Sequence, residues 1–266
     1  MHEDLELASS TITSYKSALA QPLWQGFGIN LNSELFNRIP KACANLRPRA
    51  PPRPISWSLS RVLELAASID NSSAALKPLS RKCLFLLAMA SGARMSELVA
   101  LLRGDNHVQF LESGEVLLFP DPAFLAKNEL PTRRWGPWRI APLPEDPSLC
   151  PVECLRGYLA ASSNWTDGQL FRTDEGTEIH IRQLRAKLLY FIKEADPNSV
   201  PAGHDCRRLA SSLNFFKTMS FEGLQAYTGW RSPRVFFRHY LRTVEGVDRS
   251  FVAAGTVVGP SAEPAV

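Results

Sequence analysis

Residues 83–98 read Cys83-Leu84-Phe85-Leu86-Leu87-Ala88-Met89-Ala90-Ser91-Gly92-Ala93-Arg94-Met95-Ser96-Glu97-Leu98, an apolar run followed by a glycine and an arginine. Because the first eight residues are all apolar, they predict a helix that is buried on most of its sides. Gly92 stands where a helix C-cap or close packing requires a residue without a Cβ atom. A second helix is predicted from Met95 to Leu102. The sequence therefore places Arg94 directly beside a buried helix.

Alternating residues downstream predict one small antiparallel sheet. Residues 107–111 and 116–119 form a predicted hairpin, and residues 138–143 are predicted to add a third strand. The rest of this region has helical patterns, which run from Ser58 before the sheet and then over 148–162, 181–195, 205–218, 221–228 and 232–241. The predicted fold class is mainly α (α+β), with a single three-stranded antiparallel sheet.

A shorter helical region precedes this one. Residues 1–46 are predicted to hold one helix that stops before Pro22 and another that starts at Asn32 and ends or kinks at Pro40. Residues 47–54 follow and read Arg47-Pro48-Arg49-Ala50-Pro51-Pro52-Arg53-Pro54. Four prolines predict an extended, stiff linker. Its three arginines face no acidic residue, so the linker either follows a phosphate backbone or is a solvated spacer.

The composition is that of an ordinary globular chain. It has 266 residues, 45% of them apolar, and a formal net charge of +4, which is only mildly basic. The five cysteines show no zinc-binding spacing, so we expect buried thiols in a reducing compartment. No secretory signal follows Met1, and no apolar run is long enough to span a membrane. We expect a soluble intracellular protein without a metal ion or cofactor.

Six residues scattered between positions 94 and 240 supply the groups that cleave a phosphodiester without a metal ion. Cleavage needs a nucleophile, donors that stabilise the charged phosphorane, and a proton for the departing oxygen. A guanidinium suits the second task because its planar fork donates two parallel hydrogen bonds and stays charged. A phenol becomes a nucleophile where neighbouring cations lower its pKa. The six residues are Arg94, Lys127, His204, Arg207, Trp230 and Tyr240.

Three blocks that hold five of these residues resemble the tyrosine recombinase (phage-integrase) family. They are residues 91–98 quoted above, Gly203-His204-Asp205-Cys206-Arg207-Arg208-Leu209-Ala210, and Gly229-Trp230-Arg231-Ser232-Pro233-Arg234-Val235-Phe236-Phe237-Arg238-His239-Tyr240. The similarity is closest to the recombinases of DIRS-like and Ngaro-like retrotransposons. It implies a partial helical core-binding (SAM-like) domain over residues 1–46, the basic linker over 47–54, a catalytic domain over 55–250 and a mobile tail over 251–266.

The resemblance implies a role for each of the six residues. Tyr240 attacks the phosphate and forms a 3′-phosphotyrosyl linkage, and Lys127 protonates the leaving 5′ oxygen. The nonbridging oxygens are held by the remaining four residues, which are Arg94, Arg207, His204 and Trp230. His204 also helps to deprotonate the phenol. Trp230 stands where many family members have a second histidine, and its indole N–H can donate but cannot transfer a proton.

The same residues also have purely structural interpretations. Arg94 can be a helix arginine paired with Glu97, and His204 can be incidental to a helix cap made by Asp205. Lys127 can be a solvated loop residue. Trp230 can be a core aromatic that anchors the last helix. Tyr227 or Tyr158 can be as good a nucleophile as Tyr240.

The implied activity is that of a metal-independent site-specific recombinase or integrase with type IB topoisomerase-like chemistry. The family acts as a homo-tetramer on double-stranded DNA, and we expect a monomer or weak oligomer without DNA. Integration of a mobile element would take place in the nucleus of a eukaryotic host, or otherwise in the cytoplasm. The rival hypothesis is a domesticated or decayed recombinase that binds DNA without catalysis. Predicted DNA contacts are Arg47, Arg49, Arg53, Arg133, Arg134, Arg139, Arg208, Arg231, Arg234 and Arg238.

Overall fold

The chain divides into two compact units, Met1–Arg53 and Pro54–Val266. The computed structural model describes residues 7–48, 53–127, 129–132, 134, 136–165, 167–218, 220–228, 233 and 236. The helices are α1 (Ser9–Phe27), α2 (Glu34–Leu46), α3 (Leu59–Ser68), α4 (Leu76–Ser91), α5 (Met95–Val99), α6 (Pro151–Ala161), α7 (Ile181–Ala195), α8 (Asp205–Thr218) and α9 (Phe221–Thr228). The strands are β1 (Val108–Phe110), β2 (Val116–Leu118) and β3 (Trp138–Ile140).

The first unit is a pair of helices with little buried surface. No residue of α1 is buried, and Cys43 is the single buried residue of α2. The expected stop before Pro22 is wrong, because α1 runs through Pro22 and ends at a left-handed Gly28. An internal proline costs a helix one backbone hydrogen bond and does not always end it. In the same way, α2 continues through Pro40.

The second unit is built around α4. Twelve of its 16 residues are buried, as the unbroken apolar run predicts. Helices α6, α7 and α8 and strand β3 pack against it. The ring of Phe85 lies between those of Trp57 and Phe191, at centroid distances of 6.4 Å and 5.6 Å. The apolar run thus forms the central helix on which α6, α7 and α8 pack.

The small sheet has the predicted antiparallel order β1-β2-β3. Val108 pairs with Leu118, and Val116 pairs with Ile140. These four side chains are buried, so one face of the sheet contributes to the core. The connection from β2 to β3 spans residues 119–137 and carries Lys127.

The helix after Arg94 is shorter than predicted. We expected it to reach Leu102, whereas α5 ends at Val99. Leu101 and Leu102 instead form isolated β-bridges with Pro120 and Gln169. Pairing with other segments satisfies the backbone here, so Leu101 is fully buried and Leu102 half-buried without a helix.

Candidate active site

Arg94 lies in the short connection between α4 and α5. Gly92 ends α4 in the left-handed region, with φ of 57°, which glycine adopts without strain. The backbone N–H of Arg94 donates to Glu97 Oε2 at 2.7 Å, and its Nη1 donates to Glu97 Oε1 at 2.5 Å. The Arg94–Glu97 pair therefore exists. Glu97 orients the Arg94 guanidinium rather than merely balancing its charge.

Arg207 approaches the same carboxylate from α8. Its side chain is 3% exposed, and its Nη1 lies 3.9 Å from Glu97 Oε2. The same nitrogen donates to the carbonyl oxygen of Gly92 at 2.5 Å. Two arginines that are separated by more than a hundred residues thus meet at one buried acid. The structure brings Arg94 and Arg207 together, as a site that holds one phosphate requires.

His204 precedes the first residue of α8, and its carbonyl accepts from Arg208 N at 3.0 Å. The pKa of the imidazole is lowered from its ordinary value, first by partial burial and then by nearby guanidinium groups. These belong to Arg208, Arg185, Arg207 and Arg94, in decreasing order of effect. His204 is therefore mostly neutral at neutral pH and can accept a proton from a phenol. The structure thus joins Arg94 and Arg207 through Glu97, and the exposed side chain of His204 lies within the electrostatic influence of both arginines.

Asp205 holds the start of α8. Its carboxylate is 1% exposed, and Oδ2 accepts from the backbone N–H of Ala202 at 2.7 Å. Oδ2 also accepts from the indole Nε1 of Trp57 at 3.3 Å, and Oδ1 lies 3.5 Å from Arg208 Nη1. Asp205 therefore satisfies a backbone amide, as we considered, but that amide belongs to Ala202 before α8 rather than to the helix itself.

Lys127 lies apart from this group in its contacts. Its side chain is exposed on the β2–β3 connection. The local order around it comes from Glu129, whose side chain accepts from Ala126 N at 2.7 Å and whose N–H donates to Ala126 O at 2.9 Å. No hydrogen bond or ion pair in the described part of the chain joins Lys127 to Arg94, Arg207 or Glu97.

The tyrosines differ in their suitability as nucleophile. Tyr158 is fully buried, and its hydroxyl donates to Leu170 O at 3.0 Å. Burial raises the pKa of this phenol far above its usual value, so Tyr158 is unsuited to attack a phosphate. The side chain of Tyr227 is not among those described, and Trp230 and Tyr240 lie outside the described residues.

Of the ten arginines that we predicted to contact DNA, the structure describes five. Arg139 is paired across the sheet with Glu115, through Nε at 2.9 Å and Nη2 at 2.5 Å, and hydrogen bonding from Arg139 lowers the pKa of that carboxyl. Arg134 Nη1 donates to Phe124 O at 3.2 Å. Arg208 is half-buried beside Asp205, and Arg47 and Arg53 are exposed. Outside the described residues lie Arg49, Arg133, Arg231, Arg234 and Arg238.

The sequence interpretation missed two contributors to the site. Arg185 projects from α7 against the backbone of Gly203, so that a Cβ atom added at Gly203 would lie 2.6 Å from Arg185 Nε. Trp57 comes from the first residues of the second unit. It stands directly before Ser58, the N-cap of α3, and this position is the only local signal of its role. Neither residue belongs to a recognisable block, because their partners are distant in sequence.

The described residues hold neither a metal-ligand cluster nor a helix suited to span a membrane. No three His, Cys, Asp or Glu side chains there are grouped to hold a metal ion. Across that same part of the chain, no helix combines the length and the apolar character that crossing a bilayer demands.

The chain is similar in fold to solved recombinase structures, whereas no protein-family model and no curated protein matches it. XerA recombinase is 15% identical, with 90% of this chain and 80% of that chain covered and a TM-score of 0.52. XerH site-specific recombinase bound to difH substrate in a pre-cleavage complex is 13% identical, with 87% of this chain and 66% of that chain covered and a TM-score of 0.51. The post-cleavage complex of XerH on palindromic difH is 15% identical, with 84% of this chain and 69% of that chain covered and a TM-score of 0.51. The predicted fold class, that of the tyrosine-recombinase catalytic domain, is confirmed.

Proposed function

We propose that this chain is a site-specific DNA recombinase that cuts and rejoins DNA through a phosphotyrosyl intermediate at Tyr240. The observation that carries the proposal is the convergence of Arg94 and Arg207 on Glu97, with Arg207 Nη1 3.9 Å and Arg94 Nη1 2.5 Å from its carboxylate. His204 lies in the field of both guanidinium groups. The fold shared with recombinases, one of them bound to its difH substrate before and after cleavage, supports the same assignment.

The proposed reaction is an in-line displacement at phosphorus. The Tyr240 oxygen forms a bond to phosphorus while the bond from phosphorus to the 5′ oxygen breaks. Neutral His204 takes the phenolic proton, and Lys127 gives a proton to the 5′ oxygen. Arg94 and Arg207 neutralise the developing charge, and each aimed donor of this kind is worth about a hundred- to a thousandfold in rate. The reverse reaction rejoins the strands without an external energy source.

The finer assignments belong to the same proposal. We propose a homo-tetramer on double-stranded DNA, with strand exchange that integrates a mobile element related to DIRS-like and Ngaro-like retrotransposons, in the nucleus of a eukaryotic host. The basic linker and the hairpin arginines would contact the phosphate backbone, a mode of binding that weakens steeply with salt. Trp230 would donate its indole N–H to a nonbridging oxygen.

A second candidate function is DNA binding without catalysis. It is favoured by the burial of Arg207, which is 3% exposed and whose Nη1 donates to Gly92 O at 2.5 Å. A phosphate must displace or share that bond in order to engage the guanidinium fork. A chain in which this arginine serves only to join α8 to α4 would keep the fold and lose turnover.

A nicked suicide DNA substrate tests the proposal, because loss of the short strand traps the covalent intermediate. We expect an adduct that survives denaturation, forms in the presence of EDTA, and disappears in Tyr240→Phe. Tyr227→Phe is the matched control and should leave the adduct in place. Salt-sensitive DNA binding without any adduct would support the second candidate function, and absence of DNA binding would overturn both.

A further inference from the structure

The first residues of the second unit are hydrogen-bonded to the segment that leads into α8. Ser56 Oγ accepts from Val200 N at 3.0 Å. Ser58 N donates to Asp196 Oδ2 at 3.0 Å, and Arg61 Nη1 donates to Asp196 Oδ1 at 3.0 Å. These contacts fix both ends of a short stretch against the residues that precede His204.

Trp57 makes the innermost of these contacts. Its ring is buried and packs edge-on against Phe85 at a centroid distance of 6.4 Å. Its indole N–H donates to Asp205 Oδ2 at 3.3 Å, a bond that joins residues 148 positions apart. A buried tryptophan needs an acceptor for this N–H. Here the acceptor is a charged carboxylate at the start of the helix that carries Arg207.

Asp205 in turn closes the turn that contains His204. Its N–H donates to Ala202 O at 3.0 Å, and its Oδ2 accepts from Ala202 N at 2.7 Å. His204 lies between the two ends of this reciprocal pair, and Arg207 follows in the first turn of α8. Both residues thus follow or lie within a turn that the Asp205 carboxylate closes.

We propose that Trp57 is a positioning residue for the strand-cleavage reaction, acting through Asp205 to fix the orientation of His204 and Arg207. The inference rests on the function proposed above. Trp57 does not touch the phosphate. It holds the carboxylate against the core, so that the turn over residues 202–205 cannot rotate away from Arg94 and Glu97.

The competing explanation is that Asp205 is an ordinary helix cap and Trp57 an ordinary core residue. The two explanations differ in what Trp57→Phe should do, because phenylalanine keeps most of the ring packing and removes only the donor. A core role predicts lower stability with an unchanged rate per folded molecule. A positioning role predicts a slower chemical step with unchanged DNA affinity, since small misplacements at a reacting centre cost up to about a hundredfold.

The test uses single-turnover adduct formation on the nicked substrate with the full chain. We expect Trp57→Phe to slow adduct formation about tenfold or more while DNA affinity stays within about twofold. Trp165→Phe is the matched control, because Trp165 is half-buried and packs on Tyr158, away from α8. In a His204→Gln background, Trp57→Phe should cause a smaller further loss than in the wild type, because the part of its effect that is transmitted through His204 is already gone and only the part through Arg207 remains. Full additivity of the two changes would overturn the inference.

A second variant covers the case in which Trp57→Phe does not fold. Asp205→Glu keeps the charge and displaces the carboxylate, so it should slow the adduct by a similar factor at equal DNA affinity. An unchanged rate in Asp205→Glu would overturn the inference. It would mean that the negative charge of residue 205 matters and the position of its carboxylate does not.

A nuclear magnetic resonance titration separates failure of this inference from failure of the proposed function, because it needs no catalysis. Loosening the turn should raise the pKa of His204 towards its ordinary value, since partial burial and nearby cations hold it down. The charged groups around the imidazole are Arg94, Arg185, Arg207, Arg208 and Asp205. We expect a rise in Trp57→Phe and none in Trp165→Phe. If the wild type forms no adduct but the pKa of His204 still rises in Trp57→Phe, the proposed function alone is overturned. If the pKa of His204 is the same in Trp57→Phe as in the wild type, the positioning role is overturned.

Discussion

The arginine–histidine cluster and the β2–β3 connection are ordered in opposite ways. Arg207 is 3% exposed, and its neighbours are a buried carboxylate and the carbonyl oxygen that ends α4. Lys127 is exposed on a loop whose described contacts are local. Arg94 and Arg207, the two arginines proposed to hold the phosphate, are thus set by the core before substrate arrives, whereas the side chains of Lys127 and His204 are exposed. The two regions should respond differently to mutation.

Lys127→Ala should have the largest effect on rate and the smallest effect on stability. We expect adduct formation to fall by about a hundred- to ten-thousandfold, the usual worth of a general acid. The free energy of unfolding should change by less than about 0.5 kcal/mol, because the side chain is exposed. Single-turnover kinetics and urea unfolding measure the two quantities.

A sulfur atom in place of the bridging 5′ oxygen sharpens this prediction. A thiolate leaves without being protonated, so the sulfur substrate should restore the rate of Lys127→Ala. Lys193→Ala, an exposed lysine in the last turn of α7, is the matched control and should behave as wild type. No rescue by sulfur would remove Lys127 from the role of general acid.

Glu97→Gln should disturb both quantities, because it acts inside the ordered cluster. The amide cannot balance Arg94 and Arg207 and turns a donor towards their own donors. We expect about a hundredfold slower adduct formation. The free energy of unfolding should fall by about 3 kcal/mol, typical of breaking a buried ion pair. Kinetics and urea unfolding on the same preparation test both parts.

Glu115→Gln is the control for this change, since Glu115 pairs with Arg139 on the sheet and outside the cluster. The Arg139 side chain is 42% exposed, so solvent screens this pair, and Glu115→Gln should lower the free energy of unfolding much less than Glu97→Gln. Equal losses of rate in the two variants would mean that Glu97 has no special place beside the arginines.

Gly203→Ala should have an intermediate effect. The added Cβ would lie 2.6 Å from Arg185 Nε, so the flexible arginine side chain must move away from the turn. We expect adduct formation to slow about tenfold, as for a small misplacement near a reacting centre. Arg185→Ala in the Gly203→Ala background should cause no further loss. An additional loss would show that Arg185 acts elsewhere.

The sequence predicted the elements of the second unit better than it predicted the contacts of the site. The unbroken apolar run indicated α4, and alternation indicated the sheet, because both signals are local and periodic. The cluster of Arg94, His204 and Arg207 was named from blocks of residues. The bonds that fix it were not, since Trp57 meets Asp205, and Arg207 meets Gly92, across long separations that no local pattern records. Helix ends at α1 and α5 were wrong where tertiary pairing or tolerance of proline replaced a local signal.

The pH dependence of stability should give the smallest effect and should belong to the cluster alone. The pKa of His204 in the folded chain lies below its ordinary value of 6.5, first because of partial burial and then because of the arginines around it. The unfolded chain therefore binds the proton more readily, so this contribution is complete above pH 6.5 and is lost as the pH falls towards the folded-state pKa. Urea midpoints at about pH 7.5 and about pH 5.5 should differ more in wild type than in His204→Gln. Lys127→Ala should keep the wild-type difference, because its side chain lies in the other region. Identical pH dependence in wild type and His204→Gln would mean that the imidazole is not held among the guanidinium groups, and the contrast between the two regions would then rest on the arginines alone.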